Sequence, residues 1–553
     1  MKKVIQMLSF FVLLTIFISC GTAKSINHTP QIIGYNQDIP VTIKHSDTLF
    51  SSGKNYLIKN PQQLWELYVS GDALQLGLIT GSVAENLVHK QESVFFSRVK
   101  EIIPSKFKQK ILRQFLKWYN RKLYLHVPEE YQTEIYGISQ YTTDEYDAIA
   151  PNYLRTLYLH GAHDIGHALQ DLELVGCSSF AVWGDKSADG SLLIGRNMDF
   201  YAGDVFAEDK MISFVTPDKG YPFMSVGWGG MIGVLSGMNK EGLTVTINAG
   251  KSKIPLIAKT PISILAREIL QYAATIDEAI AIAKSKQVFV SESIMIGSAN
   301  DKKAVLIEIS PENFGVYEVK NNNQLVCTNH FQSDVYRSDE RNTTHILESH
   351  SKYRLDRMNE LLAENEKMTP VKIAEILRNR EGLHNLKIGY GNEKALNQLL
   401  AHHSVIFKPE QRIVWVSSNP YQLGEFIAYD LNKIFGDKPT GFVVLGSKEL
   451  NIPKDDFINT EAYKNYEKYR VLDREFDKIT SAKKNLKSEF IHQYQSANPD
   501  YWLPYYKTGM YFYEMGWYKA AEAQFQKALS KEITTLPEKR RIEGYLNRMK
   551  TNK

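Results

Sequence analysis

Gly176 and Cys177 stand where the texture of the chain changes, and a cysteine in that place can do covalent chemistry. The thiolate is the nucleophile, but a free thiol is mostly protonated at neutral pH and needs a base or a positive field. If Cys177 becomes a chain terminus, its own α-amine, with a reference pKa near ~7.7–8, can take the thiol proton. Cleavage after Gly176 would therefore create the catalyst, and a glycine leaves its peptide open to attack by the adjacent thiol. Arg196 and Asp199 follow beyond a turn, three residues apart, and can supply charge beside the sulfur. Taken alone, that spacing is equally that of a surface ion pair. An attacked amide carbonyl develops an oxyanion, which calls for fixed donors such as asparagine amides. Asn248 ends an apolar run at 243–247, and Asn329 follows another at 325–328. Asparagine at a strand end also serves as a turn former.

The elements around these residues are of two kinds. Residues 35–170 read mainly as helices and loops, with apolar positions at helical spacing over 64–87 and 107–125. From Cys177 the pattern turns to β, with an apolar run at 178–183, turn formers at 185–190 and a return at 192–194. This is a hairpin with the cysteine at its start. Further strands are expected at 211–216, 233–236, 243–247, 293–296, 304–309, 315–318, 325–328, 404–408 and 413–417. Helical patterns lie at 261–270, 276–284, 353–363 and 370–377. Short turns between most strands favour antiparallel sheets covered by helices. From about Asp455 the chain is helical and rich in Lys, Glu and Tyr, and Gly509, Phe512, Gly516, Tyr518, Ala521, Phe525 and Ala528 fall at tetratricopeptide spacing. A single repeat cannot bury its face alone, so it should dock on neighbouring helices, and it offers a surface for a protein partner.

The chain has three cysteines, Cys20, Cys177 and Cys327. A Cys177–Cys327 disulfide has to be weighed in an exported protein, but Cys327 sits in an apolar strand-like run, where a buried inert thiol is expected. A rival site is His160, His163 and His167, near one helical face with Asp164 adjacent, which could bind zinc. Gly161 and Gly166 weaken that helix and no glutamate lies between the histidines, so positioning of the loop before Cys177 is the better reading. No metal and no cofactor is expected.

The stretch 173–250 resembles the N-terminal-nucleophile amidases, a superfamily that groups bile-salt hydrolases, acid ceramidase, N-acylethanolamine acid amidase and penicillin acyltransferase. The resemblance is carried by Gly176-Cys177-Ser178-Ser179, Gly195-Arg196-Asn197-Met198-Asp199-Phe200, Gly237-Met238-Asn239 with Gly242-Leu243-Thr244-Val245, and Thr328-Asn329. It extends weakly to Tyr353-Arg354 and His402-His403-Ser404-Val405, covering about 120–420. It implies an α+β fold with a four-layer αββα sandwich. It implies too that Cys177 is freed by self-cleavage and attacks linear C–N amide bonds, that Asp199 holds its α-amine, and that Arg196 supports the thiolate. Asn248 and Asn329 match the oxyanion donors, and Arg354 the second active-site arginine. The Cys177-to-Arg196 interval is a few residues longer than in the bile-salt hydrolases and lysosomal amidases, which bears on the hairpin turn. The long segment before the cysteine resembles the ceramidase and acyltransferase branch, where it stays as a smaller subunit or is lost.

These readings divide the chain into a signal at 1–19, a tether at 20–34, a helical pre-nucleophile segment at 35–176, a catalytic domain at 177–450 and a helical tail at 455–553. The apolar run after Lys2 and Lys3 is short for a membrane span, and Phe17-Ile18-Ser19-Cys20 resembles a bacterial lipobox, which implies a lipid on Cys20. Several acyl chains make a stable anchor. The expected place is the cell envelope, at the outer membrane facing the periplasm. A basic amphipathic stretch at 100–122 could rest on a membrane. With 43% hydrophobic residues and a formal charge of +4 on 553 residues, a sizeable core is available and nucleic acid is not an expected partner. Small N-acyl amides, such as fatty-acyl amides, N-acyl amino acids or bile-acid conjugates, are the expected substrates, and Phe200, Tyr201, Trp228 and Phe331 suggest an apolar acyl group. An acyltransferase is the alternative chemistry, and a non-catalytic envelope scaffold is the alternative of another class.

Overall fold

The computed structural model describes residues 22, 24–161, 164, 176–200, 203–253, 257–436 and 441–551. The signal, Cys20, His163, His167 and Tyr201 lie outside the described residues.

The chain opens with four short strands, β1 (Ile43–Ser46), β2 (Leu49–Ser52), β3 (Asn55–Lys59) and β4 (Trp65–Gly71). The helices α1 (Ala73–Val83), α2 (Glu85–Ile102), α3 (Lys106–Tyr119), α4 (Glu129–Ser139) and α5 (Asn152–His160) follow. The expectation of a helical segment from 35 to 176 is thus corrected for residues 43–71. The stretch 64–87, read as one helical pattern, is a strand followed by helices. The reason is burial on both faces: Trp65–Tyr68 are all buried, so β4 shows no alternation to separate it from a buried helix.

Cys177 enters β5 (Ser178–Val182), which pairs antiparallel with β6 (Leu193–Met198). The connection between them contains a 3-10 turn at Gly184–Lys186, with Gly184 at its start and Gly190 beyond it at φ of 55° and 80°. Both lie where a side chain is disfavoured. The strands β7 (Met211–Pro217), β8 (Phe223–Gly227), β9 (Ser236–Asn239) and β10 (Leu243–Ala249) come next, then α6 (Ile262–Tyr272) and α7 (Ile276–Lys284). After β11 (Glu292–Ser298), β12 (Lys303–Ile309), β13 (Phe314–Tyr317) and β14 (Gln324–Cys327) come α8 (Glu340–Glu348), α9 (Ser351–Ala363) and α10 (Pro370–Leu377). The domain closes with β15 (His403–Lys408), β16 (Ile413–Ser417), β17 (Phe426–Asp430) and α11 (Leu431–Gly436). The strand expected at 233–236 begins only at Ser236, and β17 was not anticipated.

These strands form an eleven-stranded sheet in the order β1-β2-β3-β4-β7-β8-β9-β10-β11-β12-β13 and a six-stranded sheet in the order β14-β5-β6-β15-β16-β17. One apolar core, with Ile194, Phe214, Leu306 and Val405, lies between the sheets. A second, with Ile264, Leu265 and Ile269, seats α6 and α7 on the first sheet, and a third, with Met358, Ile373 and Leu377, seats α9 and α10 on the second. The architecture is a four-layer αββα sandwich. The segment before Cys177 belongs to it, because β4 pairs parallel with β7 over seven positions, Trp65 to Met211 through Gly71 to Pro217.

The tail is helical: α12 (Glu461–Ser481), α13 (Ser488–Ala497), α14 (Leu503–Glu514), α15 (Tyr518–Leu529) and α16 (Leu536–Thr551). Gly509 lies where α14 meets α15, and a Cβ there would be 2.7 Å from the Phe525 ring. That contact is the small-against-aromatic pairing expected from the repeat spacing. The tail docks on the loop between α10 and β15. Asn498 exchanges hydrogen bonds with the backbone of Tyr390, and Asn392 Nδ2 donates to the Glu532 carbonyl at 2.9 Å.

Candidate active site

The β5–β6 register assembles the centre. Ser179 opposes Arg196 and Ser178 opposes Asn197, so the start of β5 at Cys177 and the end of β6 at Asp199 meet at the same end of the hairpin. The Gly176 N–H donates to the Asp199 carbonyl at 3.2 Å. Cys177 is 2% exposed and Arg196 and Asp199 are fully buried. The surface ion pair that the Arg-Asn-Met-Asp spacing left open is therefore ruled out.

Arg196 Nη2 approaches the Cys177 sulfur at 3.6 Å and donates to the Ile247 carbonyl, while Nη1 donates to Ser236 Oγ. The Ser236 hydroxyl contacts His403 Nε2 at 2.9 Å, and His403 Nδ1 lies 2.8 Å from His402 Nδ1. A buried chain of polar groups thus holds the far side of the guanidinium. Burial pushes the Cys177 thiol up, and the Arg196 cation opposes that rise.

Arg354 comes from α9 and touches Cys177 itself. Its Nη1 donates to the Cys177 carbonyl at 2.7 Å and to Ser178 Oγ at 2.8 Å, and its Nη2 donates to Asn329 Oδ1 at 2.7 Å. Asn329 Nδ2 donates to the Ala249 carbonyl at 3.0 Å, which leaves its second amide hydrogen for another acceptor. Asn248 joins the two sheets: Ser179 Oγ donates to its Oδ1 at 2.7 Å, and its Nδ2 makes long contacts of 3.4 and 3.3 Å with the Cys327 and Thr328 carbonyls. All the residues singled out for catalysis therefore meet in one buried cluster.

Asp199 is the anomaly of the cluster. Both carboxylate oxygens are buried without a hydrogen-bond partner among the described residues. Burial pushes its pKa up to about 7 from an ordinary 3.8, against the pull of Arg354 and Arg196. Because the folded chain binds this proton more tightly than the unfolded chain, its stabilisation is full below 3.8 and is lost as pH rises through about 7. In the uncut chain, Asp199→Asn should therefore be the more stable form at about pH 8, and the gap should narrow towards about pH 5. Thermal unfolding of Cys177→Ala with and without Asp199→Asn across that range checks this. A gap independent of pH would contradict it.

Sequence reasoning missed two groups. Glu292, at the start of β11 opposite Ala249, is fully buried with neither carboxylate oxygen hydrogen-bonded among the described residues, and burial holds its pKa well above the ordinary range. Gln398, in the loop before β15, donates from Nε2 to the Gly176 carbonyl at 3.0 Å. Neither carries a motif, and only the tertiary fold brings them to Cys177.

The rival histidine site is answered in part. His160 Nδ1 bonds the Thr156 carbonyl at 2.8 Å, and its Nε2 accepts from the Ile232 N–H at 3.0 Å, so both ring nitrogens are committed to backbone. Cys177 and Cys327 are free thiols, and Cys327 is fully buried. Phe200 and Trp228 line an apolar cleft with Val88, Phe95, Phe206 and Met231, between the catalytic strands and α2. Phe331 does not reach that cleft. It stacks on Tyr336 with ring centroids 4.0 Å apart, a core aromatic rather than a pocket wall.

Residues 185–420 match the family model described as acyl-coenzyme A:6-aminopenicillanic acid acyl-transferase. The match begins after Cys177 and takes in Arg196, Asp199, Asn248, Asn329 and Arg354. A curated protein of Archaeoglobus fulgidus, described as uncharacterized, is 27% identical over 204 residues, 34% of this chain and 34% of that protein. The chain thus spans about a third of that relative's length. Among solved structures, a Caenorhabditis elegans N-acylethanolamine-hydrolyzing acid amidase ortholog is 20% identical, with a TM-score of 0.32 over 44% of this chain and 97% of that one. A variant of conjugated bile acid hydrolase from Clostridium perfringens is 15% identical, with a TM-score of 0.33 over 46% of this chain and 93% of that one.

Proposed function

We propose, from the premise that residues 185–420 form a domain of the N-terminal-nucleophile hydrolase superfamily, that this chain is a self-cleaving cysteine amidase acting on N-acyl compounds with an apolar acyl group. The observation that carries this reading is Asp199, a buried carboxylate beside Cys177 without a hydrogen-bond partner among the described residues. An unpaired buried charge is costly, and an α-ammonium at Cys177 would supply the missing cation and donors. The site is complete only once the 176–177 bond is cut.

In the mature site the α-amine takes the Cys177 thiol proton and Arg196 favours the thiolate. The sulfur attacks the substrate carbonyl, and the free Asn329 amide hydrogen stands to support the oxyanion, with Asn248 fixing the strand beside it. The amine leaves with a proton from the Cys177 α-ammonium, and water then releases the acid from the acyl-enzyme. The cleft lined by Phe200 and Trp228 suits an apolar acyl chain, since Phe200 follows Asp199 directly. An acceptor amine in place of water would make the same site an acyltransferase, as the description of the matched family favours.

Incubating cut protein with fatty-acyl amides, N-acyl amino acids, bile-acid conjugates and penicillins, and weighing the released acids and amines, tests this. Hydrolysis of the apolar N-acyl amides is expected, and acyl transfer would show as a new amide when a second amine is added. A cut, folded protein inert towards all of them would leave the scaffold reading.

The membrane reading is likewise proposed. The sequence before residue 22 carries the lipobox-like ending, and in α3 Phe107 and Ile111 are 72% and 54% exposed amid Lys106, Lys108 and Lys110, a face suited to an anionic bilayer. Cys20→Ala should move the protein from the outer-membrane fraction into soluble periplasm. Retention of that variant on membranes, seen by fractionation and blotting, would contradict the anchor.

A further inference from the structure

We propose that Gln398 is the oxyanion donor of the self-cleavage step, a role separate from that of the asparagines that serve the substrate. The inference rests on the self-cleavage reading above. Of the amide side chains around Cys177, Asn248 and Asn329 turn their nitrogens to the Cys327, Thr328 and Ala249 carbonyls. Gln398 Nε2 instead donates to the carbonyl of Gly176, the group that must be attacked, at 3.0 Å. The carbonyl of the next residue is occupied by Arg354.

The close fit around Gly176 supports the same assignment. A Cβ at position 176 would lie 2.1 Å from Gln398 Nε2 and 2.6 Å from its Oε1. Glycine is therefore needed before Cys177 to let the amide lie on the scissile peptide, quite apart from backbone freedom. Gln398 is itself held. The Asn397 N–H donates to the Asn379 carbonyl at 2.8 Å, and Asn397 Oδ1 accepts from the Leu399 N–H at 3.0 Å. Leu399 takes a left-handed φ of 54°, and its carbonyl accepts from the Tyr466 hydroxyl of α12 at 3.2 Å. The side chain is 2% exposed, so its donor faces the peptide without competing water.

The step balances as an N-to-S acyl shift. Asp199 takes the thiol proton, and the sulfur attacks the Gly176 carbonyl carbon. Negative charge then gathers on the oxygen that Gln398 already holds. Collapse breaks the C–N bond, and the departing nitrogen takes the proton back from Asp199 to become the α-amine. A thioester joins Gly176 to the Cys177 sulfur, and water hydrolyses it to the Gly176 carboxylate and the thiol. A donor placed before the reaction costs no reorganisation when the charge appears.

The test is a cleavage time course on full-length chain made by cell-free synthesis, read by gel and intact mass. Removing one such donor typically costs about 10²–10³-fold in rate, so Gln398→Leu and Gln398→Glu should each slow the cut by at least about ten-fold. Gly176→Ala should slow it similarly by displacing the amide. Hydroxylamine, which cleaves thioesters, should speed the wild type but leave Gln398→Leu slow, because that variant forms little thioester. Should Gln398→Leu fail to fold, as judged by its thermal transition, Gln398→Glu decides, being nearly the same shape. Cutting at the wild-type rate in the folded variant, or full rescue by hydroxylamine, would overturn the assignment. Wild-type chain that stays joined yet hydrolyses amides would instead refute self-cleavage itself.

Discussion

Cys177→Ala is expected to leave the chain whole at 176–177 and to lower amide hydrolysis by at least about 10³-fold, since removing a covalent nucleophile removes the pathway it opens. On the proposed mechanism one sulfur performs both reactions, so the two losses should appear together. The substitution should cost little in folding, because among the described residues the Cys177 sulfur has only Arg196 and the Asp199 backbone as polar partners. Cys177→Ser separates the two reactions. A hydroxyl can make the corresponding N-to-O shift, so slow cutting should survive while hydrolysis stays low. Intact mass and N-terminal sequencing of active wild-type protein provide the check: full activity from a joined chain would sink the mechanism.

Asp199→Asn is the second large effect, with a loss of about 10²–10⁴-fold expected in both cutting and hydrolysis, the range typical of a removed acid–base group. Asparagine keeps the shape but cannot take a proton or pair with an α-ammonium. A pKa near 7 suits Asp199 as the base of the proposed first step, and the proposed cut would give it a cation to hold in the second. The variant should fold at least as well as the parent near pH 8, because a buried unpaired carboxylate has been removed. Lost activity with a raised melting temperature identifies a catalytic carboxylate. Lost activity with lost stability would make it a structural one.

The parts of this site that were legible in the sequence are those held by one hairpin. Gly176-Cys177 and Arg196-Asn197-Met198-Asp199 face each other at the same open end of the β5–β6 ladder, so local order in the chain became proximity in space. Asn248 and Asn329 could be marked because each follows an apolar strand-like run, although β10 continues through Asn248 to Ala249. Arg354 was reachable only through resemblance, as nothing in an amphipathic helix shows which turn meets a distant carbonyl. Gln398 and Glu292 gave no signal. A glutamine in an irregular loop acquires its meaning from the left-handed turn at Leu399 and from a tyrosine of the tail. A carboxylate on an all-buried strand breaks the apolar pattern without saying what it faces. The strands β1–β4 were missed for a related reason. Short strands carrying serines and lysines, followed by one buried on both faces, present no clean period of two.

The parallel ladder between β4 and β7 changes what a cut at 176–177 would leave behind. The piece before the cut shares a sheet with the piece after it and is tied to it by a buried ion pair, Glu134 with Arg267 at 3.1 Å. Breaking one peptide bond leaves that seam closed, so a denaturing gel would show two bands where native mass shows one particle. A lipid on Cys20 would then sit on one polypeptide and the nucleophile on the other, and the enzyme would be moored to its membrane by non-covalent contacts: strand pairing, the buried ion pair and a shared apolar core. Such a mooring yields to denaturant rather than to salt. A urea wash of membranes should free the fragment beginning at Cys177 and leave the acylated fragment in the bilayer, whereas the uncut Cys177→Ala chain should stay behind entire.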